Sequence, residues 1–351
     1  MGARLTYMDV AKGIGILAVV IGHVVIDYGG GRTPFVLALY TFHLPLFFIV
    51  SGYFFTYRPG FKAFLAKKCR AYLIPYAFAA ALITVFEIMA QSVLGDRPVT
   101  ESASYMLLGF VMQRRFTTLW FLAALLLGEL MFWLLFRFVK SMPGICVASL
   151  VIGLAGVCYS EFVRVPIPWN LDAACVVVLY LAIGAMLKRH DAIAMLERHR
   201  WRNVCILTAV SVVCTLINLA MNGEPYEMFA SQYGVFPLTI VAACAGSFAV
   251  ILLSSGLRGL ISDGLSWLGR NTMVFFMLHK SIAMPIMAKA LQATHLDVAI
   301  TSISGNIGLA FVIFLGVMII CCAIRWCIFA VHLGVLLGRT NWVQKKPVFR
   351  V

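Results

Sequence analysis

The stretch MDVAKGIGILAVVIGHVV, Met8 to Val25, carries Asp9, Lys12 and His23 in an otherwise apolar run. Ionisable groups are costly in hydrocarbon and are usually kept there for function. Histidine gives and takes protons near neutral pH, and lysine is a compact cation suited to an anion. On a helix advancing about 100° and 1.5 Å per residue, Lys12 and His23 fall within about 20° of one face and about 16.5 Å apart along the axis. No side chain spans that distance, so the two do not act on one atom, whereas one extended ligand touching both fits. Asp9 lies one turn before Lys12 on nearly the same face. Each residue also has a plain structural role. Asp9 and Lys12 suit an interfacial ion pair with Lys12 snorkelling, and His23 suits a hydrogen bond to a backbone carbonyl. Gly13, Gly15 and Gly22 suit close helix packing.

Further candidates follow along the chain. His43 lies near the start of LYTFHLPLFFIVSGYFF, where a hairpin would bring it to the depth of His23. In FKAFLAKKCRAYLIPY, Lys67 and Arg70 are three apart and therefore on one helical side. Such a basic cluster suits phosphate, and equally suits anionic lipid or a topology signal. His279 closes the run MVFFMLH and is a candidate for the same cavity. Trp120, in TTLWFL, is by default an aromatic-belt residue. Glu87, Glu129, Asp172, Lys280 and Arg325 are further polar groups inside apolar segments.

The elements that must position these groups follow from composition. Of 351 residues, 62% are hydrophobic and 12% charged. Apolar runs recur throughout, each near the 20 or so helical residues that cross a hydrocarbon core of about 30 Å. The strand-like alternation of a β-barrel is absent. The fold class is therefore all-α: a polytopic integral membrane protein of about ten transmembrane helices, near 8–26, 36–56, 71–93, 118–138, 144–160, 171–187, 203–221, 235–256, 272–291 and 306–336. The apolar segment 103–113 is too short to span and reads as re-entrant or interfacial. With the N-terminus inside, 19 of the 28 basic residues fall on cytoplasmic segments. These include Arg4, Arg58, Lys62, Lys67, Lys68, Arg70, Arg339, Lys345, Lys346 and Arg350. The outer loops hold Arg32, Arg97, Arg114, Arg115 and Arg164. The bias predicts both termini cytoplasmic, and it accounts for the net charge of +14 without nucleic acid. Arg114 and Arg115 fit it least, so that either segment 94–117 is misplaced or it faces an anionic ligand.

The ten cysteines lie mainly in apolar runs, with no Cys-x-x-Cys and no His/Cys cluster at zinc spacing, so neither a disulfide framework nor a metal site is expected. The first span reads as retained rather than as a cleaved signal peptide. Residues 1–351 read as a single membrane domain without an appended soluble one.

The blocks YMDVAKGIGILAVVIGH, FHLPLFFIVSGY, KKCRAYLIPY, LWFLAALLLGEL and WLGRNTMVFFMLH resemble, in order, those of the acyltransferase 3 family. They are most similar to its fucose 4-O-acetylase-like and polysaccharide O-acetyltransferase members, and the resemblance covers roughly residues 5 to 340. The family's basic residue, ten intervening positions and histidine correspond to Lys12 and His23, with lysine where arginine is common. Its Arg-x-x-Arg appears as Lys67-x-x-Arg70. The resemblance implies a bacterial inner-membrane enzyme that takes an acyl group from acyl-CoA, with acetyl-CoA as donor, to a carbohydrate hydroxyl of a cell-envelope molecule. On this reading His23 is the general base, Lys12, Lys67 and Arg70 hold the donor phosphates, and Asp9, His43, Trp120 and His279 are candidate supporting or substrate-binding residues. Such transfer needs one base near neutrality and donors for the developing oxyanion, for which His43 and backbone amides near Pro45 are candidates. No serine with a neighbouring base suggests a covalent intermediate. The alternative is a transporter or flippase for a glycolipid or small anion, although no paired broken-helix repeat is evident. Membrane lipid is an expected partner, and the reading is compatible with a homo-oligomer.

Overall fold

A computed structural model describes residues 5–94, 98–222 and 226–337. Arg4, Arg97, Arg339, Lys345, Lys346 and Arg350, placed above in loops and tails, lie outside the described residues. Among the described residues, fifteen α-helices run in order: α1 (Thr6–Tyr28), α2 (Pro34–Phe54), α3 (Phe61–Lys68), α4 (Ile74–Leu94), α5 (Val99–Met112), α6 (Trp120–Phe138), α7 (Met142–Phe162), α8 (Leu171–Arg189), α9 (Ala192–Glu197), α10 (Arg200–Asn222), α11 (Phe236–Gly256), α12 (Gly259–Arg270), α13 (Thr272–Leu278), α14 (Met284–Ala293) and α15 (Leu296–Ala330). A π-helical turn, Cys69–Leu73, joins α3 to α4, and a second, His279–Ala283, joins α13 to α14.

Among the described residues, ten helical segments are long and apolar enough to cross a membrane, matching the ten runs read from the sequence. The protein is an all-α, multi-pass membrane protein. Helices are the natural solution, because each satisfies its backbone N–H and C=O groups internally where no water is available. Their starts carry local signals. Thr33 accepts a hydrogen bond from the Val36 amide ahead of Pro34, and Ser141 accepts one from Gly144 ahead of Pro143.

Two boundaries differ from expectation. The third span begins at Phe61 rather than 71, because the lysine-bearing turns of α3 continue through the π turn into α4. The last span, Gly305–Ala330, ends at Ala330 rather than 336, and it follows a break at Gly305, whose φ of 66° interrupts the α15 helix. At 14 residues α5 is too short to cross, and it packs along α4 with Leu107, Leu108 and Val111 exposed.

Successive spans alternate in direction. The basic connections around Arg58, Lys140, Arg198 and Arg258 therefore gather at one end, here the basic end, and the α1–α2 connection lies at the distal end. α8 sits at the centre, 72% buried over its hydrophobic stretch, whereas α10 is 17% buried and turns its apolar side chains outward. α1 packs against α2, α11, α12 and α15, and α2 against α8. Small residues permit these approaches. Gly13 of α1 rests on the backbone of Leu265, Gly15 on Leu46 and Phe47, and Gly22 on the Tyr40 ring. Where α2 crosses α8 the fit is reciprocal, with Gly52 against the Leu181 backbone and Gly184 against the backbone of Ile49 and Tyr53.

A Cβ at 184 meets backbone that cannot swing aside, so Gly184→Val is expected to lower the detergent-solubilised melting temperature. Overpacking of this kind costs about 1–3 kcal/mol. Gly264, with nothing near its would-be Cβ, provides the control, and Gly264→Ala is expected to melt with the wild type.

Candidate active site

Two cavities occupy the bundle between α1, α2, α6 and α13. The larger, about 750 Å³, opens at the basic end. Its rim is the loop Arg58–Gly60 together with Lys67 of α3, and its wall includes Lys12, Ser51, Lys68, Tyr72 and Glu129. The loop is pinned by the Trp133 indole, which donates to the Arg58 carbonyl at 3.1 Å. Lys12 is ion-paired to buried Asp9 at 2.7 Å. Glu129, 1% exposed, lies 2.5 Å from the Lys68 ammonium and accepts from Ser51 at 2.9 Å and Tyr72 at 3.2 Å. Four cations thus face one chamber, and among the described residues Lys12 and Lys68 have carboxylate partners.

The second cavity, about 260 Å³, lies towards the distal end. His23, Tyr40 and His43 line it, with Thr118 and Trp120 at the start of α6, Lys280 from the second π turn, and Arg32, Glu227 and Phe229 from loops. The connection between α10 and α11 roofs it. Glu227 and Gln232 pair in an antiparallel bridge, and Tyr226 is hydrogen-bonded to Tyr180 of α8 at 2.7 Å. Arg32 and Glu227 form an ion pair across the roof at 2.5 Å. Trp120 and Phe229 are 5.9 Å apart, ring to ring.

His23 is the hub of this cavity. Its Nδ1 is 3.2 Å from the Tyr40 hydroxyl and 3.3 Å from the Lys280 ammonium, which also faces Asp27 at 3.9 Å. An ammonium has donors only, so Nδ1 accepts, and the neutral ring carries its hydrogen on Nε2. The lone pair able to take a proton is therefore on Nδ1. His279 stacks obliquely beside His23 with ring centroids 5.1 Å apart. Its Nδ1 donates to the Phe275 carbonyl at 2.7 Å, and its buried Nε2 has no hydrogen-bond partner among the described residues. His43 spends its Nδ1–H on the Leu39 carbonyl at 2.9 Å. In their neutral forms both rings keep only an acceptor.

One side chain lines both chambers, Phe276 of α13. It packs on Phe121 at 4.9 Å, and Phe121 on Phe47 and Phe48 at 6.0 and 4.7 Å. This aromatic cluster stands between the lysine chamber and the imidazole chamber.

Distal to it, the turn after α5 is under backbone strain. Gln113, Arg115 and Thr117 have φ between 44° and 55°, and Asn170 and nearby Trp169 are also left-handed, at 54° and 60°. The two segments hold each other: the Arg115 amide donates to the Asn170 side chain at 2.9 Å, and the Arg115 guanidinium pairs with buried Asp172 at 3.2 Å. Ser231 of the roof donates to the same carboxylate at 2.9 Å.

The structure thus brings together His23, His43 and Trp120 in one chamber, with His279 against its wall, and Lys12 and Lys67 in the other. The single stripe read for Lys12 and His23 is divided between the two. Arg70 is corrected: it is exposed and lines an apolar groove with Cys69, Ile74, Phe78 and Leu336, away from Lys12. The π turn that begins at Cys69 changes the helical register, and Lys68 faces the chamber instead. Trp120 is 4% exposed rather than part of an interfacial belt. Arg115 is answered by Asp172 within the protein, which accounts for an arginine that fits the charge bias poorly. Sequence reasoning missed Tyr40, three residues before His43, and the loop residues Arg32 and Glu227, which no periodicity marks. It noted Lys280 and Glu129 without a role.

Residues 5–326 match the family model described as an acyltransferase domain. The chain belongs to this family, acyltransferase 3, and is a membrane acyltransferase. No curated protein and no solved structure matches it.

Because Glu129 neutralises a lysine in the interior, Glu129→Ala is expected to lower stability sharply. Breaking one side of a buried pair costs about 3–5 kcal/mol. Glu129→Gln keeps the acceptor for Ser51 and Tyr72 and is expected to lose less. Melting of both variants in detergent checks the order.

Proposed function

We propose that the protein moves an acetyl group from acetyl-CoA to a hydroxyl of a cell-envelope carbohydrate across the Phe276 partition. The observation that carries this reading is the pairing of a chamber ringed by cations with a chamber built around a histidine whose Nδ1 lone pair, faced at rest by Lys280 and Tyr40, is the atom that can take a proton. The basic end faces the cytoplasm of a bacterial inner membrane, as the positive-inside bias favours, which also puts both termini there. The donor's phosphates meet Lys12, Lys67, Lys68 and Arg58, and its thin pantetheine arm passes the aromatic cluster to present the thioester beside His23. The larger chamber falls within the range of about 300–1,000 Å³ usual for ligand sites. The smaller falls below that range and suits one sugar ring rather than two.

In that chamber a pyranose face lies against Trp120 and Phe229, and sugar hydroxyls meet Glu227 and Thr118, whose buried hydroxyl has no partner among the described residues. Arg32 and Lys280 are balanced by Glu227 and Asp27, so the lining favours an uncharged ring. His23 Nδ1 removes the hydroxyl hydrogen as the oxygen attacks the thioester, and returns it to the departing thiolate. Direct transfer of this kind needs no covalent acyl-enzyme.

Two outcomes test the reading. His23→Ala is expected to lower acetyl transfer by about 10²–10⁴-fold, the usual worth of a general base, while acetyl-CoA still binds. The checks are mass spectrometry of envelope glycans and calorimetric titration of purified protein; unchanged glycan acetylation overturns the assignment. Phe276→Trp is expected to cut turnover at least tenfold with donor binding retained, whereas Phe276→Ala admits water and raises acetyl-CoA hydrolysis. Rates indifferent to the size of residue 276 remove the partition from the reaction path.

A further inference from the structure

We infer that Lys280 is the oxyanion donor of this reaction, an inference that rests on the acetyltransferase reading above. A tetrahedral intermediate formed next to His23 places a negative oxygen in a largely apolar chamber, where fixed donors have their greatest effect. The neutral imidazoles of His43 and His279 do not serve, since each commits its one N–H to a backbone carbonyl, Leu39 and Phe275 respectively. Arg32 is tied to Glu227 at the roof, and Tyr40, 3.2 Å from the same His23 nitrogen, offers one hydrogen and no charge.

Lys280 differs on each count. It lines the chamber, and its Nζ lies 3.3 Å from the reacting nitrogen and 3.9 Å from the Asp27 carboxylate. An ammonium has three donors, so one remains for a ligand after those two contacts. The π turn beginning at His279 explains how neighbouring residues both reach the site. The widened turn carries Lys280 into the chamber while His279 stays against its wall.

The step balances as follows. The acceptor O–H donates to His23 Nδ1 and displaces both the ammonium and the Tyr40 hydroxyl from that lone pair. The oxygen bonds to the thioester carbon, the carbonyl π pair moves onto its oxygen, and the hydroxyl hydrogen passes to Nδ1. Lys280 Nζ–H donates to the new oxyanion without being deprotonated. Collapse restores the C=O, breaks the C–S bond, and the thiolate takes the proton back from Nδ1. The products are the O-acetyl sugar, free CoA and the original imidazole.

The test uses purified full-length protein in detergent micelles, with labelled acetyl-CoA and a panel of neutral methyl hexopyranosides as acceptors. K280M is expected to lower kcat by about 10²–10³-fold, the cost of losing one oxyanion donor, with KM for acetyl-CoA within threefold of wild type. K280R keeps a cationic donor and is expected to recover at least tenfold of that loss. K280M turning over within threefold of an active wild type overturns the assignment alone. So does loss of acetyl-CoA binding in both variants, which makes Lys280 a residue of the fold. Wild-type protein that neither hydrolyses nor transfers the acetyl group overturns the acetyltransferase reading, and this one with it.

Discussion

A charge inside a lipid-surrounded bundle must find its counterpart on another segment, and the arrangement of this protein follows from that requirement. Lys68 and Glu129 join α3 to α6, Arg115 and Asp172 join the turn after α5 to α8, and Lys280 and Asp27 join the second π turn to α1. Glu129 and Asp172 are buried, and leaving either without its partner is costly, so the first two pairs work as positional constraints between elements distant in sequence; Lys280 and Asp27, partly exposed and 3.9 Å apart, hold more loosely. Apolar packing between transmembrane helices is poorly directional by comparison, since lipid tails compete with it. The small-residue crossings of α1 with α12 and of α2 with α8 set how closely the helices approach, and the ion pairs set their rotation and depth.

Within that frame, the placement of the site follows from direction and length. α1 begins at the basic end and α2 returns, so Lys12 and His23 open onto different chambers although they share a helix face. Tyr40 and His43 meet His23 because the α1–α2 connection is short. The partition comes from elsewhere: Phe276 on α13 and Phe121 on α6 close the space between α1 and α2. The two chambers are thereby separated by side chains that carry no polar atoms.

The ten spans are legible in the sequence because apolar runs of membrane length are a strong signal. His23, Lys12 and His43 are legible too, since ionisable groups in such runs stand out. What is not legible depends on contacts between distant segments or on irregular backbone. Phe276 is one phenylalanine among many until α13 is seen against α6. The Arg32–Glu227 pair joins two loops without periodicity. Arg70 and Lys68 exchange roles because the regular helix assumed by three-residue spacing gives way to a π turn at Cys69. Trp120 sits at a span end, where an interfacial tryptophan is the default, and only the roof between α10 and α11 reveals that it is enclosed.

The π turns have a consequence for how this chain can vary. Each holds one residue more than a regular helical path requires, so losing that residue would restore an ordinary ladder and leave the downstream faces nearly where they are, whereas a loss from the regular helix beside it would rotate everything downstream by about 100°. At His279–Ala283, loss of the extra residue would keep α14 on its neighbours but change which side chains the turn presents, Lys280 among them. The length of these turns therefore matters to the site more than to the bundle, and relatives that keep the site should keep the extra residue.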